Sequence, residues 1–186
     1  MQVSAAPLEG LLVIETKLWR DARGAFVETY HQERYRAAGI GAAFVQDNFS
    51  WSQANVLRGL HYQLSRPQGK LVMVVEGRVF DVAVDIRKGS PTFGQWHGVE
   101  LSAENGRQLY IPPGYAHGYC VLSERAGFMY RCTDYYSPSD ERGIRWNDPQ
   151  LAIAWPSVNP LVSPKDQAYK TLAEMQAELP QWPAPR

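Results

Sequence analysis

The sequence predicts a mainly β protein, built as an antiparallel sandwich or barrel. Short segments in which apolar and polar residues alternate recur along the whole chain, as strands with one buried face require. Turn residues separate them throughout, since 15 Gly and 13 Pro are spread over the 186 residues. Consecutive segments are also spaced like hairpins, and repeated hairpins favour a closed or double-layered sheet because both leave few unpaired strand edges.

Length and charge limit the classes of protein to consider. A chain of 186 residues is enough for one good hydrophobic core, whereas two domains would each be unusually small, so we predict a single domain over residues 1–186. The charges balance, with 19 Lys and Arg against 19 Asp and Glu, so no overall field attracts nucleic acid or an anionic membrane. An anionic ligand would have to be held by a local cluster of cations.

The sequence predicts a cytoplasmic protein without a membrane segment. No apolar run approaches the roughly 20 residues that a transmembrane helix needs, and the N-terminal segment MQVSAAPLEG lacks the charged and then apolar order of a secretion signal. Cys120 and Cys132 fall in strand-like segments. They could form a disulfide, but buried reduced thiols are commoner in a protein without an export signal.

The two ends of the chain predict different structures. In the first third, a short helix in TYHQERYRAAGI ends at Gly39, and short strands lie in LLVIETKLW, GAFVETY and AFVQDNFSWS. In the last third, residues 146–169 are extended and punctuated by proline, and TLAEMQAELP predicts a short helix with Thr171 and Glu174 spaced as a capping box. We expect this last part to pack on the outside of the β core.

The middle of the chain predicts three hairpins. The first, KLVMVVEGRVFDVAVDIR, would turn at Glu76-Gly77. The second, HGVELSAENGRQLYIPP, would turn at Asn105-Gly106, a pair that suits a two-residue turn with positive φ at both positions. The segment GYCVLSERAGFMYRCTDYYS would form the third.

The strand VFDVAVDIR has two different faces. One face is apolar and carries Phe80, Val82, Val84 and Ile86. The other face carries Asp81, Ala83 and Asp85, and it could point either to solvent or to the interior of a barrel. Asp81 is therefore a secondary candidate for a functional site.

Eight segments, in order along the chain, match a known family. From about Asp21 to about Asp166 the chain resembles the dTDP-4-dehydrorhamnose 3,5-epimerases. RGLHYQ alone would be weak evidence, but VFDVAVDIR, PTFGQW and YIPPGYAHGY follow it at the family's spacing. The resemblance implies a cupin-type jelly-roll barrel with short peripheral helices, and a dTDP-linked 4-keto-6-deoxyhexose as substrate. The matching segments are DARGAFVETY, QDNFSWS, VLRGLHYQ, QGKLV, GRVFDVAVDIRKGSPTFGQW, LSAENGRQLYIPPGYAHGY, YRCTDYYSPSDERGIRWNDP and SPKD.

The implied reaction needs proton transfer on two faces of a sugar. The C4 ketone acidifies the protons on C3 and C5, so inversion requires a base on one face, stabilisation of an enolate oxygen and an acid on the other face. The resemblance implies His61 as the base, Asp166 as the acid that orients it, Lys70 as a cation near the enolate and Tyr130 as the proton donor. Imidazole accepts protons near neutral pH, and a phenol keeps its proton there yet can give it to an enolate. No redox cofactor and no metal are needed.

The resemblance also implies residues that bind the substrate. Arginine and lysine suit the diphosphate, which arginine can hold through two parallel hydrogen bonds, and Phe26 could pack against thymine. Family members are generally dimers in which part of one protomer's N-terminal region reaches the neighbour's site, so a homodimer is implied as well. The implied binding positions are Arg23, Phe26, Glu28, Gln46, Asn48, Arg58, His117, Tyr136, Glu141 and Lys165.

Several of these assignments have a structural alternative. Lys70 could be an exposed charge at a strand edge, and Tyr130 could be an ordinary core aromatic, since aromatic residues favour strands. The segment SPKD is also a helix N-terminal signature. Asp166 would be freed for His61 if the helix began at Thr171 instead.

Two functions of another class compete with the epimerase hypothesis. A metal-dependent cupin typically presents a His-x-His pair, a Glu and a later His, whereas His61-Tyr62-Gln63 and the single His117 make a poor metal site. A sugar-nucleotide-binding module without turnover would be expected to lack His61 or Tyr130, and both are present.

A third alternative lies within the enzyme class. A relative that inverts only one carbon, or that accepts another 4-keto sugar, would use the same acid and base. Two positions depart from the family pattern: Met73 stands where an arginine is common, and His97 follows GQW where an aliphatic residue is usual. Met73 could change the pocket near Lys70 or simply face outward.

Overall fold

The computed structural model describes residues 1–182 as a mainly β fold, which confirms the predicted fold class. The helices are short: α1 spans Gln32–Ala37, α2 spans Pro164–Gln167, and one turn of 3-10 helix spans Gln176–Glu178. The strands are β1 (Gln2–Ala5), β2 (Leu12–Glu15), β3 (Leu18–Asp21), β4 (Gly24–Val27), β5 (Gln46–Gln53), β6 (Val56–Gln63), β7 (Lys70–Glu76), β8 (Arg78–Asp85), β9 (Trp96–Ser102), β10 (Arg107–Ile111), β11 (Tyr115–Val121), β12 (Arg125–Cys132), β13 (Glu141–Gly143) and β14 (Leu161–Val162).

Two sheets face each other as a jelly roll. Sheet 1 has the antiparallel strand order β1-β2-β10-β7-β12-β5, and sheet 2 has the order β13-β6-β11-β8-β9, with β14 added in parallel to β6. The inner faces enclose a buried core that includes Val72 and Val74 of sheet 1 and Ala83 and Tyr119 of sheet 2. The hairpin β3–β4 forms a separate two-stranded sheet.

The three predicted hairpins are wrong, because each pair of strands divides between the two sheets. β7 pairs with β10 and β12, whereas β8 pairs with β11 and β9. In the same way, β9 and β11 lie in sheet 2, and β10 and β12 lie in sheet 1. The strand segments themselves are confirmed. Alternation along a strand indicates which side chains share a face, but it does not indicate which strand lies alongside.

The first of these crossings depends on Gly77. Its φ is +71°, and a Cβ at this position would lie 2.1 Å from the carbonyl oxygen of Arg125. No side chain fits in that space, and a left-handed φ itself favours glycine. The chain therefore passes from Glu76 in sheet 1 to Arg78 in sheet 2 through one residue.

The two faces predicted for β8 point to two different cores. Val82, Val84 and Ile86 face outward and pack against the C-terminal third of the chain, as predicted. Asp81 and Asp85 face inward between the sheets, and both are 0% exposed. The acidic face of β8, which the sequence allowed to point either to solvent or to the interior, therefore points to the interior.

The helix predicted after Thr171 is only partly correct. Residues 172–175 form turns, and the 3-10 turn follows them. The hydrogen bonds of the capping box do form: the Thr171 N–H donates to Glu174 Oε2 at 2.8 Å, and the Glu174 N–H donates to Thr171 Oγ1 at 3.4 Å. A segment this short is marginal as an isolated helix, and the burial of Leu172 and Met175 against sheet 2 determines its path.

Both cysteines are buried and neither forms a disulfide. Cys120 belongs to a small cluster with Leu57 and Val162, and Cys132 lies opposite Lys70 in the pairing of β12 with β7. No helix within residues 1–182 is long and apolar enough to cross a lipid bilayer.

Candidate active site

A cavity of about 390 Å³ opens between the two sheets. Strand alternation explains part of its lining, because alternate residues of β5 (Gln46, Asn48 and Ser50) and of β12 (Phe128 and Tyr130) point into it. Nine of the residues predicted for the site line it, together with seven others. The lining residues are Gln46, Asn48, Ser50, Arg58, His61, Tyr62, Gln63, Gln68, Lys70, His117, Gly118, Tyr119, Phe128, Tyr130, Tyr136 and Glu141.

His61 and Asp166 form a hydrogen-bonded pair at the wall of the cavity. His61 Nε2 lies 2.8 Å from Asp166 Oδ1, and the Gly59 N–H donates to Asp166 Oδ2 at 3.1 Å. α2 begins at Pro164, where Ser163 Oγ caps it by accepting the Asp166 N–H at 3.1 Å. The helix therefore uses only the backbone of Asp166. The carboxylate is free for His61 although the helix does not begin at Thr171. Asp166 therefore both stands in the first turn of a helix and serves as the partner of His61, which the sequence had suggested as alternatives.

The charge state of Asp166 determines which nitrogen of His61 can accept a proton. Burial by itself raises the pKa of the Asp166 carboxyl, but the hydrogen bonds from His61 and from the Gly59 amide lower this pKa below its ordinary value. Asp166 is then a carboxylate at neutral pH, and the neutral imidazole donates its Nε2–H to it. The lone pair of His61 lies on Nδ1. With 29% of its side chain exposed, His61 can present that nitrogen to a ligand.

Lys70 and Tyr130 lie on the opposite wall, on neighbouring strands of sheet 1. Both are partly buried, and burial favours the neutral form of each group over its charged form. It lowers the pKa of the Lys70 ammonium, although Cys132, Asp81 and Glu141 oppose the shift. Burial raises the pKa of the Tyr130 phenol to about 12. A phenol on one wall and an imidazole on the other can act on two faces of one ligand.

His117 forms a second pair with a carboxylate, which the sequence had placed only as a secondary candidate. His117 Nε2 lies 3.1 Å from Asp81 Oδ1 and 2.9 Å from Oδ2, and both side chains are buried. Burial lowers the pKa of His117 even though Asp81 opposes the change. In the pairing of β11 with β6, His117 lies directly opposite His61, so the two imidazoles share one wall.

A network of hydrogen bonds joins the residues of the rim. The Tyr136 hydroxyl donates to Glu141 Oε2 at 2.6 Å, and the Lys165 ammonium donates to the same oxygen at 2.5 Å. The Tyr136 N–H donates to Gln46 Oε1 at 2.8 Å, and Gln46 Nε2 donates to Asn48 Oδ1 at 2.9 Å. Lys165 does not line the cavity, but Glu141 connects it to the rim.

Arg58 lies at the edge of the cavity, and the sequence reasoning missed its neighbours. Its Nε donates to Ser52 Oγ at 3.0 Å, and the Tyr119 hydroxyl lies 3.2 Å from the same oxygen. The Tyr119 ring stacks on Phe128 with the centroids 4.1 Å apart. Alternation could have indicated these residues, since Tyr119 follows His117 by two residues and Phe128 precedes Tyr130 by two.

Three predicted binding residues do not reach the cavity of their own chain. Arg23 pairs with Asp21 at 2.6 Å on the exposed hairpin β3–β4, and the Phe26 side chain there is 68% exposed. Glu28 pairs with Arg34 of α1 at 2.8 Å. Within one chain, none of the three lines the cavity.

Most of the chain matches known proteins. A family model described as dTDP-4-dehydrorhamnose 3,5-epimerase matches residues 5–174. The chain belongs to this family. A dTDP-4-dehydrorhamnose 3,5-epimerase of Pseudomonas aeruginosa is 51% identical over 176 residues, which are 94% of this chain and 97% of that protein. A dTDP-4-dehydrorhamnose 3-epimerase of Streptomyces niveus is 40% identical over 176 residues, covering 94% and 85%.

Solved structures agree with this membership in the epimerase family. The crystal structure of a dTDP-6-deoxy-D-glucose-3,5-epimerase from Legionella pneumophila, in complex with dTDP-4-keto-L-rhamnose, is 55% identical with a TM-score of 0.95. It covers 98% of this chain and 99% of that chain. A 4-keto-6-deoxy sugar epimerase from Streptomyces spheroides is 38% identical with a TM-score of 0.93, covering 98% and 94%.

The two departures from the epimerase pattern lie outside the cavity lining. Met73 is buried on the outer face of sheet 1, where its Sδ accepts a hydrogen bond from Gln108 Nε2 at 3.6 Å. Because side chains alternate along β7, Met73 points away from the face that carries Lys70. His97 pairs with Ala83 at the start of β9 and is half-buried, and burial lowers its pKa. Neither residue changes the cavity wall of this family member.

The epimerase site contains few candidates for metal ligands. Within residues 1–182, no group of three or more His, Cys, Asp and Glu side chains is arranged to hold a metal ion. Nε2 of His61 is already hydrogen-bonded to Asp166, and Nε2 of His117 is hydrogen-bonded to Asp81.

Proposed function

We propose that this chain epimerises dTDP-4-dehydro-6-deoxy-D-glucose at C3 and C5 to dTDP-4-dehydro-L-rhamnose. One observation carries the proposal: His61, oriented by Asp166, and the Tyr130 phenol lie on opposite walls of one cavity. Inversion of a carbon needs a base and an acid on its two faces. The Legionella relative, whose structure contains dTDP-4-keto-L-rhamnose, supports this substrate class.

Proton removal is the first step of the proposed reaction. The C4 ketone acidifies the adjacent C–H bond, His61 Nδ1 takes the proton, and the electron pair of that bond moves to the C4 oxygen. The imidazolium that forms is stabilised by the Asp166 carboxylate at 2.8 Å. Asp166 also keeps the lone pair on Nδ1 before the reaction, because the Nε2–H is directed to it.

Lys70 and Tyr130 complete the proposed reaction from sheet 1. The Lys70 ammonium stabilises the negative charge on the C4 oxygen, and the low dielectric that lowers the pKa of this lysine also strengthens that attraction. Tyr130 then gives its proton to the carbon from the face opposite His61. Its pKa of about 12 keeps the phenol protonated until an enolate forms. The enzyme returns to its first state when His61 loses its proton and Tyr130 regains one.

The polar rim supports binding of the nucleotide part. Arg58 and Lys165 supply positive charge for the diphosphate, and His117, Gln46 and Asn48 supply hydrogen-bonding groups. Tyr136 and Glu141 close the network between them. These two cations supply the local positive charge that a chain with balanced charges needs to hold an anionic ligand.

We further infer a homodimer in which the hairpin β3–β4 of one protomer completes the site of its partner. The hairpin carries two exposed aromatic side chains, Trp19 at 46% and Phe26 at 68%, with Arg23 beside them. Exposed aromatic residues next to an arginine are typical of interfaces. Within one chain none of these residues lines the cavity.

Two broader assignments accompany this proposal. A single domain over residues 1–186 is supported by the match of the family model to residues 5–174 and by the shared core of the two sheets. A cytoplasmic location fits the two buried thiols, Cys120 and Cys132, which a reducing compartment would maintain.

The second candidate is epimerisation at one carbon only. It is favoured by the similarity to the 3-epimerase of Streptomyces niveus, and the same base and acid would serve it. In the substrate, C3 and C5 both lie next to the C4 ketone, so the same base and acid can act on either carbon.

The experiment that tests the proposal is proton NMR of dTDP-4-dehydro-6-deoxy-D-glucose incubated with the protein in D₂O. We expect deuterium to enter at both C3 and C5, with the product signals of dTDP-4-dehydro-L-rhamnose. Deuterium at one carbon alone would support the single-carbon candidate. No exchange at either carbon would overturn the catalytic proposal and leave a binding function.

A further inference from the structure

Tyr169 lies against the side of His61 and is not among the residues that line the cavity. It follows α2, and its ring centroid lies 5.8 Å from the His61 ring at an interplanar angle of 74°, an edge contact. The backbone of this segment is fixed by Arg145: its Nε donates to the Tyr169 carbonyl at 3.2 Å, and its N–H donates to the Lys170 carbonyl at 2.8 Å. The position of the ring is therefore determined by the main chain as well as by its packing.

A glycine on the neighbouring strand provides the space for this ring. Gly143 lies directly opposite His61 in the pairing of β13 with β6. A Cβ at Gly143 would lie 2.2 to 2.4 Å from three carbons of the Tyr169 ring. The ring thus occupies the volume that a side chain at position 143 would fill, and it is held there against the imidazole.

The hydroxyl of Tyr169 contributes little to this arrangement. It is buried and has no hydrogen-bond partner among residues 1–182. Burial raises the pKa of Tyr169, and the negative charges of Glu141 and Asp166 raise it further, so the phenol stays neutral. The feature that contacts His61 is the ring.

We propose that Tyr169 is a positioning residue, whose ring holds the His61 imidazole so that Nε2 stays on Asp166 and Nδ1 faces the cavity. The inference rests on the proposed function. One hydrogen bond at Nε2 leaves the imidazole free to swing about its Cα–Cβ and Cβ–Cγ bonds. A second contact on the ring edge removes that freedom, and small misplacements of a proton acceptor are costly for catalysis.

Comparison of Tyr169→Ala with Tyr169→Phe tests this inference. We expect Tyr169→Ala to lower kcat roughly 10- to 100-fold with little change in KM, because the substrate contacts are intact and only the base is mobile. Tyr169→Phe keeps the ring and should restore kcat to near the wild-type value. Thermal unfolding of each variant controls for loss of structure. Equal losses in the two variants, or an unchanged kcat in Tyr169→Ala, would overturn the inference.

Gly143→Ala disturbs the same contact without altering either ring. Its methyl group must displace the Tyr169 ring, so we expect kcat to fall in Gly143→Ala. In the double variant Gly143→Ala/Tyr169→Ala the methyl group has nothing to displace, and the two losses should not multiply. Fully multiplicative losses would mean that Gly143 acts independently of Tyr169, which contradicts the proposal.

A spectroscopic measurement separates this inference from the proposed function. Imidazole ¹⁵N NMR of His61 reports which nitrogen carries the proton, and it does not require turnover. We expect the wild type and Tyr169→Phe to show a protonated Nε2 and an unprotonated Nδ1, and Tyr169→Ala to show averaged signals of a mobile ring. Unchanged signals in Tyr169→Ala would refute the positioning role even if the wild type is active. An inactive wild type with the expected signals would refute the proposed reaction alone.

Discussion

At the residue level, His61 supplies a hydrogen-bond donor to the buried Asp166 carboxylate, and Asp166 fixes the tautomer of His61. The carboxylate is only 4% exposed, so it requires hydrogen-bond donors, and it obtains them from the imidazole and from the Gly59 amide. The imidazole in turn is fixed in one tautomer by the carboxylate. A hydrogen bond to a charged group contributes roughly 1.5–3 kcal/mol to stability, and here it also determines which nitrogen is basic.

Substitutions in this pair should reveal that it acts as a unit. We expect His61→Ala and Asp166→Asn each to lower kcat by about 10²- to 10⁴-fold, since an amide at position 166 no longer favours the lone pair on Nδ1. The double variant should be about as slow as the slower single variant. Steady-state kinetics test this, with circular dichroism to verify the fold. A double variant whose loss is the product of the single losses would contradict a shared function.

Tyr130→Phe should separate proton removal from inversion. The substitution removes only the acid of sheet 1, so exchange of the substrate proton with D₂O should continue while the formation of the epimer falls by about 10²-fold or more. Tyr119→Phe is the matched control, because Tyr119 lines the same cavity but its hydroxyl is occupied by Ser50 and Ser52. If exchange and inversion fall together in Tyr130→Phe, this division of roles is wrong.

At the level of elements, the short connections that cross from one sheet to the other determine which strands form each wall of the cavity. β7 and β8 are separated by one residue, and yet they lie in opposite sheets. The consequence for function is direct, because Lys70 begins β7 in one wall while Asp81 and its partner His117 lie in the other. The crossing at this corner therefore places Lys70 and the Asp81–His117 pair on the two walls that face each other.

Gly77→Ala should therefore destabilise the fold more than an ordinary glycine substitution does. Gly39 is the matched control: it has a φ of +93°, but nothing lies within 4 Å of the place where its Cβ would be. We expect Gly39→Ala to cost about 1–2 kcal/mol for the left-handed φ. Gly77→Ala should cost clearly more, roughly 3 kcal/mol or above, because the methyl group meets the carbonyl of Arg125. Urea unfolding measures both, and equal costs would contradict the steric argument.

At the level of the whole molecule, the inferred dimer makes a prediction about shared sites. His61→Ala removes the base from the cavity of its own chain, whereas Arg23→Ala/Phe26→Ala leaves that cavity intact and removes only the hairpin side chains. In a mixed dimer, the hairpin of the first chain would complete the cavity of the second, so a statistical mixture should regain about one quarter of the wild-type activity.

Two controls make the mixing experiment decisive. Mixtures of His61→Ala with Asp166→Asn should regain nothing, because both changes lie in the same cavity. Sedimentation equilibrium should give twice the chain mass of 21.0 kDa for the wild type. If the hairpin mixture also stays inactive while the protein is dimeric, then the hairpin does not serve the partner's site.

The sequence by itself determined the strand segments and the faces of several strands. The alternation in VFDVAVDIR correctly separates Val82 and Val84 from Asp81 and Asp85, because side-chain direction along a strand depends only on neighbours in the chain. The capping box at Thr171 likewise forms because its hydrogen bonds are local. The motifs also indicated most residues of the cavity wall through their resemblance to a family.

Only the tertiary structure decided which of these faces meet. It placed successive strands in opposite sheets, turned Asp81 toward His117, and brought Tyr169 onto His61 over Gly143. It also left the hairpin with Phe26 outside the cavity of its own chain. The physical reason is that strand pairing and the closure of a cavity depend on packing between residues far apart in the chain. Periodicity within a segment contains no information about its partners in space.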